Sequence, residues 1–119
     1  MLNALISFRF RSNQRVLKSK DFRKISQVGT RVFVKDFLAV VSNAHTDIGR
    51  IGITVSKKCS KKAVERNRIK RLVRESYRLN ADCLQTKDVV VIAKVHTSEK
   101  PNPVLSSELN RLWKKVAHV

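Results

Sequence analysis

The run Val89-Val90-Val91-Ile92-Ala93-Lys94-Val95 constrains this chain more than any other stretch. It is almost wholly apolar, rich in β-branched residues, and does not alternate. A strand exposed on one face alternates apolar and polar positions, whereas a strand buried on both faces reads as continuous apolar sequence. The chain must therefore build a sheet with cover on both sides. Arg50 to Ser56 supplies the contrast: Ile51, Ile53 and Val55 face one way, while Arg50, Gly52, Thr54 and Ser56 face the other. One face of that strand is core. The other is small and polar, which leaves room for another body to approach the sheet.

The remaining elements follow from period and punctuation. Ser19 is placed to cap a helix over Lys20 to Val28, with Phe22 and Ile25 on one side and Gly29 as its stop signal. Arg31–Val34 and Phe37–Ser42 read as strands joined by a tight turn at Lys35-Asp36. From about Lys61 to Leu79 the period becomes helical, with Ile69, Leu72, Val73, Ser76 and Tyr77 on one face. Asn102 caps a last helix with Pro103 in its first turn, whose apolar stripe is Leu105, Leu109, Leu112, Trp113 and Val116. The order is α-β-β-β-α-β-α. The fold class is α+β: a four-stranded mixed sheet with helices packed on it. At 119 residues the chain forms one domain spanning 1–119, with residues 1–17 as an extended basic N-terminal segment.

No apolar run approaches the roughly 18 residues a membrane-spanning helix needs. The apolar opening Met1 to Phe8 lacks a preceding basic region and a small-residue cleavage site. It does not read as a signal peptide, so the expected compartment is the cytoplasm. Cys59 and Cys83 stand apart without further ligands at metal spacing and read as packed thiols.

The formal net charge of +17 calls for a polyanionic partner, and it is concentrated. Residues 1–35 carry nine Lys/Arg against Asp21 alone, and residues 57–78 carry ten against Glu65 and Glu75. Each segment is +8, and the other 62 residues together are only +1. On the second helix, Asn67, Arg71, Arg74 and Arg78 fall in one stripe opposite Ile69 and Ser76, a row of like charge without acidic partners. Phosphate compensates such a row well. Arginine matches its oxygens with a planar fork, and Lys57, Lys58, Lys61 and Lys62 extend the positive field beyond the helix N-terminus. A membrane-surface helix would need a broad apolar face, and the first half offers only Ala63 and Val64.

Groups for independent catalysis do not assemble. His45, His96 and His118 are scattered, and there is no nucleophile elbow, Gly-rich phosphate loop or carboxylate pair. A protein-only nuclease would need carboxylates to hold metal. The charge pattern alone still leaves a ribosomal or other structural RNA-binding protein open.

The run Arg50-Ile51-Gly52-Ile53-Thr54-Val55-Ser56-Lys57-Lys58, followed by Ala63-Val64-Glu65-Arg66-Asn67-Arg68-Ile69-Lys70-Arg71-Leu72-Val73-Arg74-Glu75, closely resembles the protein subunit of bacterial ribonuclease P. The resemblance covers about residues 8–117. A lone Arg-Asn-Arg triplet is common; the interval from Ser-Lys-Lys to that triplet, the first helix around Asp21-Phe22 and the strand-plus-helix tail make the match specific.

The resemblance implies an accessory subunit with no chemistry of its own. The RNA subunit, with Mg2+, performs the endonucleolytic cleavage that frees the mature 5′ end of tRNA, and the protein binds no metal tightly. The implied partners are that RNA, with the protein as a monomer in a 1:1 complex, and precursor tRNA. The implied RNA-binding residues are Arg66, Asn67, Arg68, Lys70, Arg71 and Arg74, with Lys57 and Lys58 at their edge; the positive field read from charge adds Lys61 and Lys62 to the RNA-binding set. The 5′ leader would lie in a cleft between the first helix and the sheet, against Phe22, Thr54 and Ser56. Many members carry further aromatics where this chain has Ser26 and Val40, which weakens leader stacking or moves it to Phe33 or Phe37. Phe22 suits a core position as well as a stacking platform. The family's left-handed βαβ crossover is also implied, against the usual hand.

Overall fold

The computed structural model describes residues 19–43, 49–84 and 86–119. The basic segment 1–17 and His45 lie outside the described residues. The elements are α1 (Ser19–Val28), β1 (Thr30–Phe33), β2 (Phe37–Asn43), β3 (Ile51–Thr54), α2 (Ala63–Leu79), β4 (Lys87–Ala93) and α3 (Asn102–Ala117), with short 3-10 turns at Ala81–Leu84 and Thr97–Glu99. The order and the mixed four-stranded sheet match the expectation. The two 3-10 turns had no signal in the pattern, being too short to show a period.

The sheet runs β1-β2-β4-β3, antiparallel except for the parallel pair β3 and β4. The continuous apolar strand β4 is thus central, and Val89, Val90 and Val91 are fully buried. Cross-strand partners share a face, so the register sorts side chains into rows. Val32, Ala39, Val91 and Ile53 form one row, and Thr30, Val41, Val89 and Ile51 another. Both belong to the face covered by α2 and α3, where most of the core lies. Tyr77 and Trp113 meet edge to face there, with centroids 5.8 Å apart. Their polar ends are satisfied: the Trp113 indole donates to Ser76 Oγ at 2.8 Å, and the Tyr77 hydroxyl donates to the Gly49 carbonyl at 3.2 Å.

The opposite face carries the rows Arg31, Val40, Val90, Gly52 and Phe33, Leu38, Ile92, Thr54. Helix α1 covers part of it through Ile25 and Phe22. Gly29, expected as a C-terminal stop through backbone freedom, has no positive φ. Its role is close approach: a Cβ there would stand 2.6 Å from Val40 Cγ1 and 2.8 Å from the Ile25 carbonyl oxygen.

Two local expectations are corrected. Pro101, not Asn102, is the N-cap of α3, because Asn102 is already inside the helix and spends its Oδ1 on Arg68. Helix α2 starts at Ala63, two residues later than Lys61, since Lys62 is held extended and its N–H donates to Ser60 Oγ at 3.2 Å. Cys59 is buried as expected, but Cys83 is exposed.

Candidate nucleic-acid interface

The basic residues divide into those committed within the protein and those free to meet a ligand. Arg66 Nη1 donates to the Ser60 carbonyl at 2.9 Å and braces the loop before α2. Arg68 is the most committed: Nη1 donates to Asn102 Oδ1, Nη2 to the Ser98 carbonyl at 3.1 Å and the Lys100 carbonyl at 3.3 Å, and Nε to Glu65 at 3.3 Å. Its fork thus joins α2 to the segment leading into α3. Arg78 pairs with Glu75 one turn back. That hydrogen bond is the main cause holding the Glu75 carboxyl below its usual range, and burial opposes it. The expected row without acidic partners is therefore corrected at its last member, because i, i+3 geometry brings Glu75 beside Arg78.

Asn67, Arg71 and Arg74 are exposed and have no hydrogen-bond or ion-pair partner among the described residues. Lys57, Lys58, Lys61 and Lys62 are likewise exposed on the loop entering the helix, and Lys70 is half-buried at its flank. The helix axis explains the sorting. Steps of 100° put Ile69, Val73, Ser76 and Tyr77 against the core and Asn67, Arg71 and Arg74 away from it, with Arg68 on one flank and Arg66 on the inward side, one turn before the first buried residue, Ile69.

The second group lies on the other side of the sheet. Phe33 is 55% exposed, whereas Phe22, Leu38, Thr54 and Ile92 are half-buried. Phe22 packs with Ile92 against Ile25, Val40 and Val90, so it contributes to the core while keeping part of its ring accessible. Ser26 turns its hydroxyl back to the Phe22 carbonyl at 2.8 Å. Lys94 Nζ sits 5.7 Å from the centre of the Phe33 ring and donates to the Val34 carbonyl at 2.7 Å, adding a cation to this cleft that was not singled out in the sequence. Ser56 is exposed beyond the end of β3.

Phe37 is corrected. It is fully buried, and strand alternation puts it on the face opposite Leu38, among the residues packed under α2 and α3. It presents no ring to a leader. Among the described residues no group of three or more His, Cys, Asp or Glu side chains is placed to hold a metal ion.

The family model for ribonuclease P matches residues 10–117. The chain belongs to the ribonuclease P protein family. It is 41% identical to the ribonuclease P protein component of Desulforapulum autotrophicum over 92% of this chain and 94% of that protein. It is 42% identical to that of Syntrophus aciditrophicus over 88% of each. The solved structure of the Staphylococcus aureus RNase P protein superposes with a TM-score of 0.79 at 32% identity, covering 86% of this chain and 94% of that one. The Thermotoga maritima RNase P protein gives 0.76 at 30% identity over 86% and 96%. A ribonuclease P protein is a subunit of the holoenzyme, so tRNA processing and RNA binding follow from membership.

Proposed function

We propose that the outward side of α2 docks on the RNA subunit of ribonuclease P, while the cleft between α1 and the sheet holds the single-stranded 5′ leader of precursor tRNA. An RNA partner follows from the family; the division of surfaces, a 1:1 complex with a monomeric protein, and precursor tRNA as the substrate contacted are the reading offered here. The observation that carries it is the set Asn67, Arg71 and Arg74, exposed and without partners among the described residues in a segment of charge +8. Unpaired guanidinium groups in a row repel one another, and phosphate oxygens relieve that repulsion through charge-assisted bonds.

The cleft supplies a different chemistry. Phe33 and the accessible part of Phe22 offer ring faces on which unpaired bases stack, Lys94 offers a cation beside them, and Thr54 offers a hydroxyl. In this reading Mg2+ belongs with the RNA subunit, and the protein contributes binding and positioning. No helix of the described residues is long and apolar enough to cross a membrane. The compartment proposed is the cytoplasm.

Cleavage of precursor tRNA at low Mg2+ is measured with the protein alone, the RNA alone and both together. Activity is expected only from the pair. In parallel, Arg71→Glu combined with Arg74→Glu is expected to weaken binding to the RNA subunit at least tenfold. Cleavage by the protein alone, or unchanged RNA affinity in the double variant, overturns the reading.

A further inference from the structure

Beside the unpartnered arginines the surface of α2 is hollowed. An open recess of about 560 Å3 lies between this helix and the start of α3. That volume is within the range of about 300 to 1,000 Å3 usual for small-ligand clefts. Its wall is mostly apolar, contributed by Leu72 and by Val64, which is 78% exposed. An exposed valine in the middle of so basic a surface stabilises neither the helix nor its solubility. It does suit the face of a planar apolar group.

The polar rim has a definite arrangement. Arg68 lines the recess with its guanidinium anchored to Asn102, to two backbone carbonyls and to Glu65, so its plane is fixed. Unpaired RNA bases stack on such planes as well as on aromatic rings. Asn102 has spent its Oδ1 on Arg68, which leaves its amide hydrogens for a base edge, and Asn67 keeps both donor and acceptor. Arg71, also on the rim, has no partner among the described residues and is placed for the adjoining phosphate. The one acid present, Glu75, is paired with Arg78, which reduces its repulsion of an anion.

We infer that this recess receives one unpaired nucleotide of the RNA subunit, its base against Val64, Leu72 and the plane of Arg68, and its phosphate at Arg71. The inference rests on the proposed docking of α2 on that RNA and deepens it: the contact is a specific seat and not a diffuse charged face. The RNA subunit is chosen over the leader because the recess lies on the α2 and α3 side of the sheet, while the α1 cleft lies on the other. Arg68 becomes a positioning residue, since its hydrogen-bond donors are directed to the protein.

The test uses the full chain with the full-length RNA subunit. Val64→Trp fills the recess, and Asn110→Trp puts the same bulk on an exposed site of α3 away from it. Val64→Trp is expected to weaken RNA binding at least tenfold and Asn110→Trp less than twofold. In a Cys83→Ser background, Val64→Cys carrying a short photo-crosslinker is expected to react with a single unpaired nucleotide of the RNA subunit. This second variant keeps the question answerable if tryptophan disturbs the helix. Should Arg74→Glu weaken binding while Val64→Trp does not, or the crosslink scatter over paired regions or fall on precursor tRNA, the seat is refuted and the basic interface stands. Should Arg74→Glu itself have no effect, the docking surface falls, and the seat with it.

Discussion

Arg50 and Asp88 meet through three donors: the Arg50 backbone N–H at 3.0 Å and Nε at 3.4 Å both reach Oδ1, and Nη2 reaches Oδ2 at 2.9 Å. The free branch of the same guanidinium, Nη1, reaches Asp21 Oδ2 at 2.8 Å. Asp88 is in β4 and Asp21 is in α1, so one side chain at the start of β3 ties the helix to the sheet beside the cleft between α1 and the sheet. The Asp88 hydrogen bond is the main cause holding the Arg50 pKa above its ordinary value, and burial pulls against it. The group stays charged throughout the accessible pH range.

The two acids are unequal, and the difference can be measured. The Asp88 side chain is 1% exposed and that of Asp21 is 30%. Arg50→Ala leaves a buried carboxylate without its counter-charge and is expected to cost about 3 kcal/mol of stability. Asp21→Ala removes a partly exposed pair and is expected to cost at most about 1 kcal/mol. Urea midpoints check both; since Arg50→Ala removes both contacts, equal losses would show that the helix tie accounts for the whole effect and the buried pair for none of it.

Three phenylalanines separate core from cleft. Phe37→Ala, at a fully buried site, is expected to cost about 3 to 5 kcal/mol of stability. Phe33→Ala is expected to leave stability within about 1 kcal/mol and to weaken binding of leader-bearing precursor by roughly 1 to 3 kcal/mol, with leaderless tRNA unaffected. Phe22→Ala, half-buried, combines smaller portions of both. Holoenzyme titrations with the two substrates, beside chemical denaturation, read the split. A Phe33→Ala holoenzyme that binds both substrates normally would remove stacking from the account.

That sorting shows where the sequence was informative. The alternation at Arg50–Ser56 and the continuous run at Val89–Ala93 report burial directly, because each strand's environment is written in its own period. The inward face of α2 was legible for the same reason. Phe33 and Phe37 were not separable, since short strands joined by a turn leave the register open by one residue, and one residue reverses the face. The fourfold anchoring of Arg68 was hidden for a different reason. Its acceptors at Ser98, Lys100 and Asn102 are 30 or more residues away, and only the tertiary fold brings them to α2.

Arg68→Lys therefore should not behave as a conservative change. Lysine keeps the charge but loses the planar fork, stranding part-buried carbonyls at Ser98 and Lys100. A loss of about 1 to 2 kcal/mol of folding stability is expected, whereas Arg74→Lys should be neutral within about 0.5 kcal/mol. Thermal or urea unfolding of the free protein decides this without RNA present. If both variants unfold alike, Arg68 is not an anchor.

Affinity for the RNA subunit should depend steeply on salt. With six to ten phosphates neutralised, it is expected to fall by roughly 10³ to 10⁵ between 50 and 200 mM monovalent salt. Replacing Arg74 by Ala should lower the slope by about one ion released, and replacing Lys114, on α3, should lower it less. Filter binding over a salt series gives the slope. A flat response would contradict an interface built on phosphate.

Gly29 gives the sharpest separation between two physical accounts of one residue. A glycine following a helix is usually explained by a left-handed backbone that other residues resist. Here the backbone is not left-handed, so that account expects Gly29→Ala to be harmless or slightly stabilising through the unfolded state. The packing account expects the reverse. The added carbon would be 2.6 Å from Val40 Cγ1, 2.8 Å from the Ile25 carbonyl oxygen and 2.9 Å from that of Val41, and two of these are backbone atoms that cannot rotate away. Helix α1 would have to lift from β2, at an expected cost of about 1 to 3 kcal/mol. Lifting α1 also shifts Phe22 and Asp21, so the variant should discriminate less between leader-bearing and leaderless substrates while RNA-subunit affinity at α2 holds. Denaturation midpoints together with the two substrate affinities decide it: an alanine variant as stable and as selective as the parent would leave Gly29 without a packing role.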